Sequence, residues 1–365
     1  MSQIKEQNFL IGIFGDNFDQ CNLVGQALGA PGTKSDILFY NRLDANLGQV
    51  FCALTPVDYP EKIKPLLQIL TITNIYLLVI DLESGLNAAI GEILVGMDLF
   101  HQLFKKKSLV VIANINSKTE WKLDQIKKRL NDILNTISIK GTTIFELRDK
   151  SDFDILKTKI IEVGYDLNEN NNENQSYTQI FIDHSFPVKG IGTVILGVVK
   201  KGIVNTSQML ELVGYEGVGK KVLIRNIQKH DRNFKNAFEG DRVGLALKGN
   251  ISPGDISRDN MLVSQGIFKQ EKEIEANVFI NPFYKPKGGI IKPEDSIQYH
   301  AIVNLKLSSM KFIEGDELKP DKNGKDKILF DKWLFHDGSG LKGVITELNK
   351  FENKSRIVGW FTQLL

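Results

Sequence analysis

The stretch from Asp183 to Val204, DHSFPVKGIGTVILGVVKKGIV, decides the fold. The run ending in Phe186-Pro187-Val188 and the β-branched-rich run Thr193 to Val199 flank Lys189-Gly190-Ile191-Gly192, which reads as strand, tight turn, strand. Gly190 and Gly192 allow the sharp turn and leave little side-chain bulk where the second strand begins. Downstream, KVLIRNIQKH from Lys221 and FEGDRVGLALKG from Phe238 continue in the same texture, short alternating strands punctuated by Gly, Asn and Asp. Helical periodicity is absent from here to Leu365, which is the pattern of β-barrels or sandwiches.

Working backwards, the polar run NENNNENQS, 168–176, holds almost nothing a core can use and reads as an interdomain linker. Before it, apolar runs alternate with amphipathic segments. Phe9 to Phe14, Ile37 to Tyr40, Val50 to Leu54, Ile75 to Asp81, Leu109 to Asn114 and Thr142 to Leu147 read as strands. Asn22 to Gly29, Pro60 to Thr71, Leu86 to Phe104, Trp121 to Thr136 and Phe153 to Gly164 read as helices between them. Near-continuous Val, Ile and Leu strands separated by helices predict a mostly parallel sheet covered on both faces. A second division is expected near Gly266 to Glu273, where KQEKE precedes a fresh alternating run. The expected organisation is an α/β domain over 1–167, the linker, a β-barrel over 177–267 and a second over 268–365.

At 365 residues, with 42% hydrophobic and 25% charged, the chain has the composition of a multidomain globular protein, which excludes disordered and fibrous classes. Net charge is −4 over 1–175, +4 over 176–265 and +2 over 266–365, so the β half is mildly basic and compatible with nucleic acid. Cys21 and Cys52 make neither a disulfide framework nor a metal-ligand spacing, which points to a reducing, cytoplasmic setting. The histidines His101, His230, His300 and His336 show no metal spacing either, so no metal site is expected. The longest apolar runs are too short to cross a bilayer, and MSQIKEQNF carries no export signal.

The three blocks beginning at Asp183, Lys221 and Phe238 resemble, in order and spacing, the second domain of translational GTPases. The likeness is strongest to elongation factors of the Tu and archaeal selenocysteine-specific types. The resemblance implies a Rossmann-like, P-loop-NTPase-type G domain followed by two β-barrels. It also implies GTP and magnesium as cofactors, but the residues that would bind them are missing. A P-loop is GxxxxGK[ST], whose amides cradle phosphates while the lysine neutralises them. The corresponding run is Gly15-Asp16-Asn17-Phe18-Asp19-Gln20-Cys21-Asn22, in which Gly15 alone persists and Asn22 stands for the hydroxyl residue.

Where the family has Asp-x-Pro-Gly-His, this chain has Leu54-Thr55-Pro56-Val57-Asp58, keeping only Pro56. The guanine-reading motif is reduced to Asn114 in Asn114-Ile115-Asn116-Ser117, and Phe145-Glu146-Leu147-Arg148 replaces the family's last base-contact motif. Ala30 to Asp36 is short where the family has a long switch. The expected outcome is a degenerate G domain without bound GTP or magnesium and without catalysis. The later run Gly214-Tyr215-Glu216-Gly217-Val218-Gly219-Lys220-Lys221 is P-loop-like but joins two strand-like runs, so it reads as a hairpin turn.

The resemblance carries three further expectations. Asp183, His184 and Arg242 match residues lining the pocket for the aminoacylated tRNA end in the selenocysteine-specific branch, where an arginine suits an anionic group. The same three residues also suit a structural ion pair on the barrel rim. Lys285, Lys287, Lys292 and Arg356 are candidates for RNA backbone contacts, or a solvated charged surface. With the resemblance closing at Arg356 to Trp360, the selenocysteine factor's appended domain is expected to be missing. The partner expected is tRNA or another RNA, and neither DNA nor a membrane. A scaffold on the ribosome or an aminoacyl-tRNA synthetase, and a true GTPase with a remodelled site, are the competing readings.

Overall fold

The computed structural model describes residues 6–169, 177–215, 217, 219–293, 295–348 and 355–365. The first apolar run forms β1 (Gln7–Phe14), followed by α1 (Phe18–Leu28), β2 (Ala30–Pro31), β3 (Ile37–Asp44) and β4 (Gln49–Pro56). Then come α2 (Ile63–Ile72), β5 (Ile75–Asp81), α3 (Ala88–Phe104), β6 (Lys107–Ala113), α4 (Leu123–Leu134), β7 (Thr143–Glu146) and α5 (Asp152–Glu169). The sheet order is β2-β3-β4-β1-β5-β6-β7. Strands β4, β1, β5, β6 and β7 run parallel, and β3 is antiparallel to β4. Every residue of β5 is buried, as a strand covered on both faces requires. β1 lies between β4 and β5, so the loops leaving β1, β5 and β6 meet at one end of the sheet, where ligands of open α/β sheets bind.

Two features of this sheet depart from expectation. α1 begins at Phe18, not Asn22, because Asn17 caps it. α5 runs to Glu169, into the segment read as linker, and 170–176 lie outside the described residues. Between α3 and β6, the buried Lys106 directs Nζ to the main-chain oxygens of Thr71 and Thr73 and, at 3.2 Å, to Asn74 Oδ1. A cation is favoured there because these carbonyls end α2.

The chain divides into two compact units, residues 1–172 with 348–357, and residues 173–347 with 358–365. The second unit holds two closed barrels. β8 (Gln179–Val188), β9 (Gly192–Lys201), β10 (Ile203–Asn205), β11 (Met209–Val213), β12 (Lys220–Lys229), β13 (Arg232–Phe234), β14 (Asn236–Phe238), β15 (Arg242–Lys248) and β16 (Met261–Val263) make the first. Its sheet order is β11-β16-β8-β9-β15-β12-β13, closed by pairing of β11 with β12, and β10 pairs with β14 at its side. Alternating residues such as Ile180, Ile182, Ile195, Val222, Ile224 and Leu245 fill it.

The second barrel is β17 (Lys269–Ile280), β18 (Tyr299–Val303), β19 (Lys306–Gly315), β20 (Lys322–His336), β21 (Lys342–Thr346) and β22 (Ile357–Gln363), closed in the order β17-β20-β19-β18-β21-β22. The polar KQEKE, expected to precede the first strand of the second barrel, is the first part of β17, paired with β20 and bulged between Glu271 and Glu273. A ladder needs main-chain partners rather than apolar side chains, and Glu273 finds Lys327 across it at 2.5 Å.

Candidate functional site

At the shared end of β1, β5 and β6, the sequence dictates a short turn. Gly15 is the one residue that fits against the sheet, since a Cβ there would stand 2.6 Å from Val79 O and 2.8 Å from Cys21 Sγ. Asn17 then takes extended backbone angles and its Oδ1 accepts from the amides of Asp19 (3.0 Å) and Gln20 (3.4 Å). These are the amides a helix N-terminus would offer an anion. Asn17 Nδ2 donates to Asp81 Oδ2 at 2.7 Å, and Asp81 Oδ1 receives Glu83 N (2.9 Å) and Asn114 Nδ2 (2.8 Å). Asp16 Oδ2 receives Ser84 Oγ (2.8 Å) and Asn87 Nδ2 (2.6 Å). The loop ends are therefore stitched to one another by side-chain amides on carboxylates.

The other positions read against the nucleotide motifs follow suit. Cys21, in the place of the phosphate lysine, is buried, and burial with the nearby Asp16 charge pushes its thiol up to about 12. Asn22 turns toward the sheet, accepting from Tyr40 Oη at 2.8 Å. Pro56 ends β4, opposite Ile37. Asn114 adopts a left-handed backbone and belongs to the Asp81 network. Of the four remnants, Gly15 and Asn114 border this network, whereas Asn22 and Pro56 serve the fold elsewhere. Glu146 and Arg148 spend their charges on Lys127 (2.6 Å), Glu120 (2.8 Å) and each other (2.9 Å). A triphosphate with magnesium needs cations and open amides; these residues present carboxylates and an amide cap already filled, so they do not fit that group.

In the first barrel the three expected residues do meet. Pairing of β8 with β9 slips between Ile182↔Gly197 and His184↔Leu196, which leaves Asp183 in a β-bulge. A bulge re-aims the side chain at its position. Gly197 permits it, because a Cβ there would lie 2.4 Å from Phe181 O. Asp183, 4% exposed at its side chain, accepts from Arg242 at the head of β15 at 2.9 Å. His184 Nδ1 stands 3.0 Å from the other carboxylate oxygen. Arg258, which sequence reading missed, approaches the same oxygen at 3.6 Å and donates Nε to Asp183 O at 3.3 Å. Its Ser257-Arg258-Asp259 context carries no motif signal. It is brought in by the segment Pro253–Ile256, whose main-chain oxygens at both ends accept Ser185 Oγ.

Lys285, Lys287 and Lys292 are exposed on the connection between β17 and β18, and Lys292 pairs with Glu317 at 3.4 Å. Arg356 is a correction: it is 2% exposed. It gives Glu92 three hydrogen bonds, N to Oε1 (2.6 Å), Nε to Oε1 (3.2 Å) and Nη2 to Oε2 (2.6 Å). Tyr59 Oη adds 3.1 Å to Oε2. Glu92 is a buried carboxylate on α3, invisible as a partner in sequence because it is 264 residues away, and a guanidinium fork satisfies it as no surface role would. The P-loop-like run around Gly214 lies between β11 and β12, with Tyr215 Oη bonded to Asp255 O (2.6 Å), and among its described residues none is helical, Lys220 and Lys221 belonging to β12. Among the described residues no cluster of metal-ligating side chains forms, and no helix is long and apolar enough to cross a membrane.

No protein-family model matches the chain. An uncharacterised protein of Methanocaldococcus jannaschii is 31% identical over 336 residues, covering 91% of this chain and 96% of that one. The selenocysteine-specific elongation factor of the same organism is 30% identical over 224 residues, 58% of this chain and 45% of the factor. In fold, the chain is similar to translation elongation factor SelB from Methanococcus maripaludis in complex with the GTP analogue GppNHp, with TM-score 0.80 and 21% identity over 98% of this chain and 79% of that one. A bacterial selenocysteine-specific elongation factor gives TM-score 0.78 and 17% identity over 98% of this chain and 58% of its own.

Proposed function

Because the chain belongs to the same family as the uncharacterised protein of Methanocaldococcus jannaschii, one with the fold of translational GTPases, we propose that it is an elongation-factor-like protein that holds RNA without a GTP switch. The ligand is the aminoacylated end of a tRNA, bound through the barrels. The observation that carries this reading is a contrast between two sites. At the sheet end, Asn17 fills the amides of α1 and the carboxylates of Asp16 and Asp81 stand beside them. In the first barrel, Arg242, His184 and Arg258 converge on a single carboxylate. Each charge-assisted phosphate contact forgone costs about 1.5 to 3 kcal/mol, so losing several removes many orders of magnitude of nucleotide affinity.

Titration of the pure protein with a fluorescent GTP analogue, with and without magnesium and beside an intact elongation factor, tests the first half. No saturation up to millimolar nucleotide is expected; micromolar, magnesium-dependent binding would return a GTPase cycle to the reading. Crosslinking and sequencing of bound RNA tests the second half. Enrichment of tRNA supports the proposal, whereas ribosomal or synthetase proteins captured without RNA would replace it with a scaffold.

A further inference from the structure

We propose that His336 is an acid-sensitive pin in the joint between the two barrels: as a neutral imidazole it holds the turn that brings Asp337 to the first barrel, and on protonation it lets that turn go. β20 ends at His336, and residues 336–340 turn the chain back toward β21. Gly338 and Gly340 take left-handed backbone angles there, φ 93° and 84°, a region that favours glycine. The turn so made curls two amides onto the ring, and His336 Nδ1 accepts from Gly338 N at 3.2 Å and Gly340 N at 3.1 Å. A ring nitrogen that accepts carries no proton, so the neutral imidazole holds its hydrogen on Nε2. His336 is 7% exposed, and its Nε2 has no hydrogen-bond partner; Glu271 Oε1 stands 3.8 Å away, beyond hydrogen-bond reach.

The turn carries Asp337, whose two carboxylate oxygens face different ways. Oδ1 closes the turn, accepting from Ser339 N at 3.2 Å and Ser339 Oγ at 2.5 Å. Oδ2 reaches the first barrel, where it accepts from Tyr177 Oη and, at 2.9 Å, from Lys201 Nζ at the end of β9; Lys201 also donates to Tyr177 Oη at 2.6 Å. The place of Asp337 thus depends on the turn, and the turn on a ring nitrogen able to accept. A proton on Nδ1 makes that acceptor a donor facing two donors, so both amide bonds are lost together. Glu271 and Lys269 of β17 and Asp337 of the turn itself act on the ring, and Lys342 of β21 acts on Asp337. Burial holds the imidazole below the ordinary histidine range, against the pull of Glu271 and Asp337. The closed turn therefore resists a proton that the opened turn accepts near pH ~6.5, so closure is full above that pH and weakens as pH falls below it. Gln179 Nε2 also meets Asn304 Oδ1 across the barrels at 3.3 Å, so release loosens one edge of their contact rather than parting them.

The test follows hydrogen exchange of the Gly338 and Gly340 amides in the full chain by NMR, corrected for the intrinsic pH dependence of exchange. Between about pH 7.5 and 5.5 the opening constant of the wild-type turn should rise about 5- to 10-fold, while that of Phe330, in the middle of β20, stays within about 2-fold. H336N places an amide oxygen where Nδ1 stands and takes up no proton in this range, so its opening constant should vary by less than about 2-fold. Y177F removes a first-barrel donor to Asp337 and should raise turn opening by about tenfold at neutral pH while keeping the slope. A slope in H336N equal to that of wild type, no slope in wild type, or a turn indifferent to Y177F would each overturn the proposal. Should H336N not fold, the wild-type ring decides by its nitrogen chemical shifts. An Nε2-protonated ring at neutral pH that titrates in step with turn opening supports the pin, and any other tautomer, or a titration out of step, overturns it.

Discussion

Replacing Glu92 by alanine should be among the most damaging single changes in the α/β unit. Its carboxylate is the acceptor for three hydrogen bonds from Arg356 and one from Tyr59, and both charged side chains are at most 3% exposed. Removing one member of such a pair leaves a guanidinium buried without its carboxylate, a loss of about 3 to 5 kcal/mol. The pair itself is worth far less, since desolvation offsets most of its attraction; a Glu92→Met, Arg356→Met double variant should therefore recover most of the loss. Because the chain has two compact units, a single global melting curve is ambiguous, and the readout should be local. Hydrogen exchange of α3 amides resolves it, with E92A expected to raise opening rates by about two to three orders of magnitude and the double variant by about tenfold or less. A cost below about 1 kcal/mol for E92A would refute the assignment of Arg356 as a buried structural residue.

Other expectations follow from the same contacts. Asn17→Ala removes the cap of α1 and its bond to Asp81, and should lower stability by about 1 to 2 kcal/mol in urea denaturation followed by exchange at α1. Asp326 lies inside the second barrel, where burial raises its carboxyl to about 7. The folded state then holds a proton that the unfolded chain gives up near pH 4, so stability falls as pH rises from about 4 to 7. D326N should melt higher than wild type at pH 8 and lose that advantage at pH 4; equal melting at both would contradict the burial argument. Burial works against the charge on Asp337, yet bonds from Ser339, Tyr177 and Lys201 hold its carboxyl below the usual range. Its contribution is present above about pH 4 and fades as pH falls below that, and D337N should flatten this acid limb. For RNA binding, Lys285, Lys287 and Lys292 changed together to Gln should reduce the slope of log affinity against log salt by about 2 to 3, and an unchanged slope would exclude them from the interface.

How far the sequence predicts all this depends on whether the signal is local. The strands of both halves are legible because burial on one or two faces writes itself into runs such as Ile75 to Asp81. The start of β17 is read five residues late, at Ile274, because strand membership is a property of main-chain pairing and the strand that pairs with KQEKE lies some sixty residues later. The start of α1 misleads for another reason. Asn17 followed by Asp19 is an N-cap signature, but aligning the run to a phosphate loop assigns those residues to a loop and places the helix a turn too late. At the barrel pocket, Asp183, His184 and Arg242 are found through resemblance, whereas Arg258 has no motif, and its contact arises from the bulge that only a register reveals. Arg356 fails as a surface cation because nothing near it in sequence announces Glu92.

The early start of α1 also bears on what this end of the sheet could be made to hold. Three residues, Gly15 to Asn17, separate β1 from the helix, and the positions that would have to become glycine, lysine and threonine are already wound into its first turns. Cys21 there points into the core at 2% exposure, so a lysine written in its place would carry its charge into hydrocarbon rather than toward a phosphate. A phosphate loop at this place would need a longer turn before the helix as well as different side chains. The length of one turn, more than the identity of any side chain in it, sets what this end of the sheet can cradle.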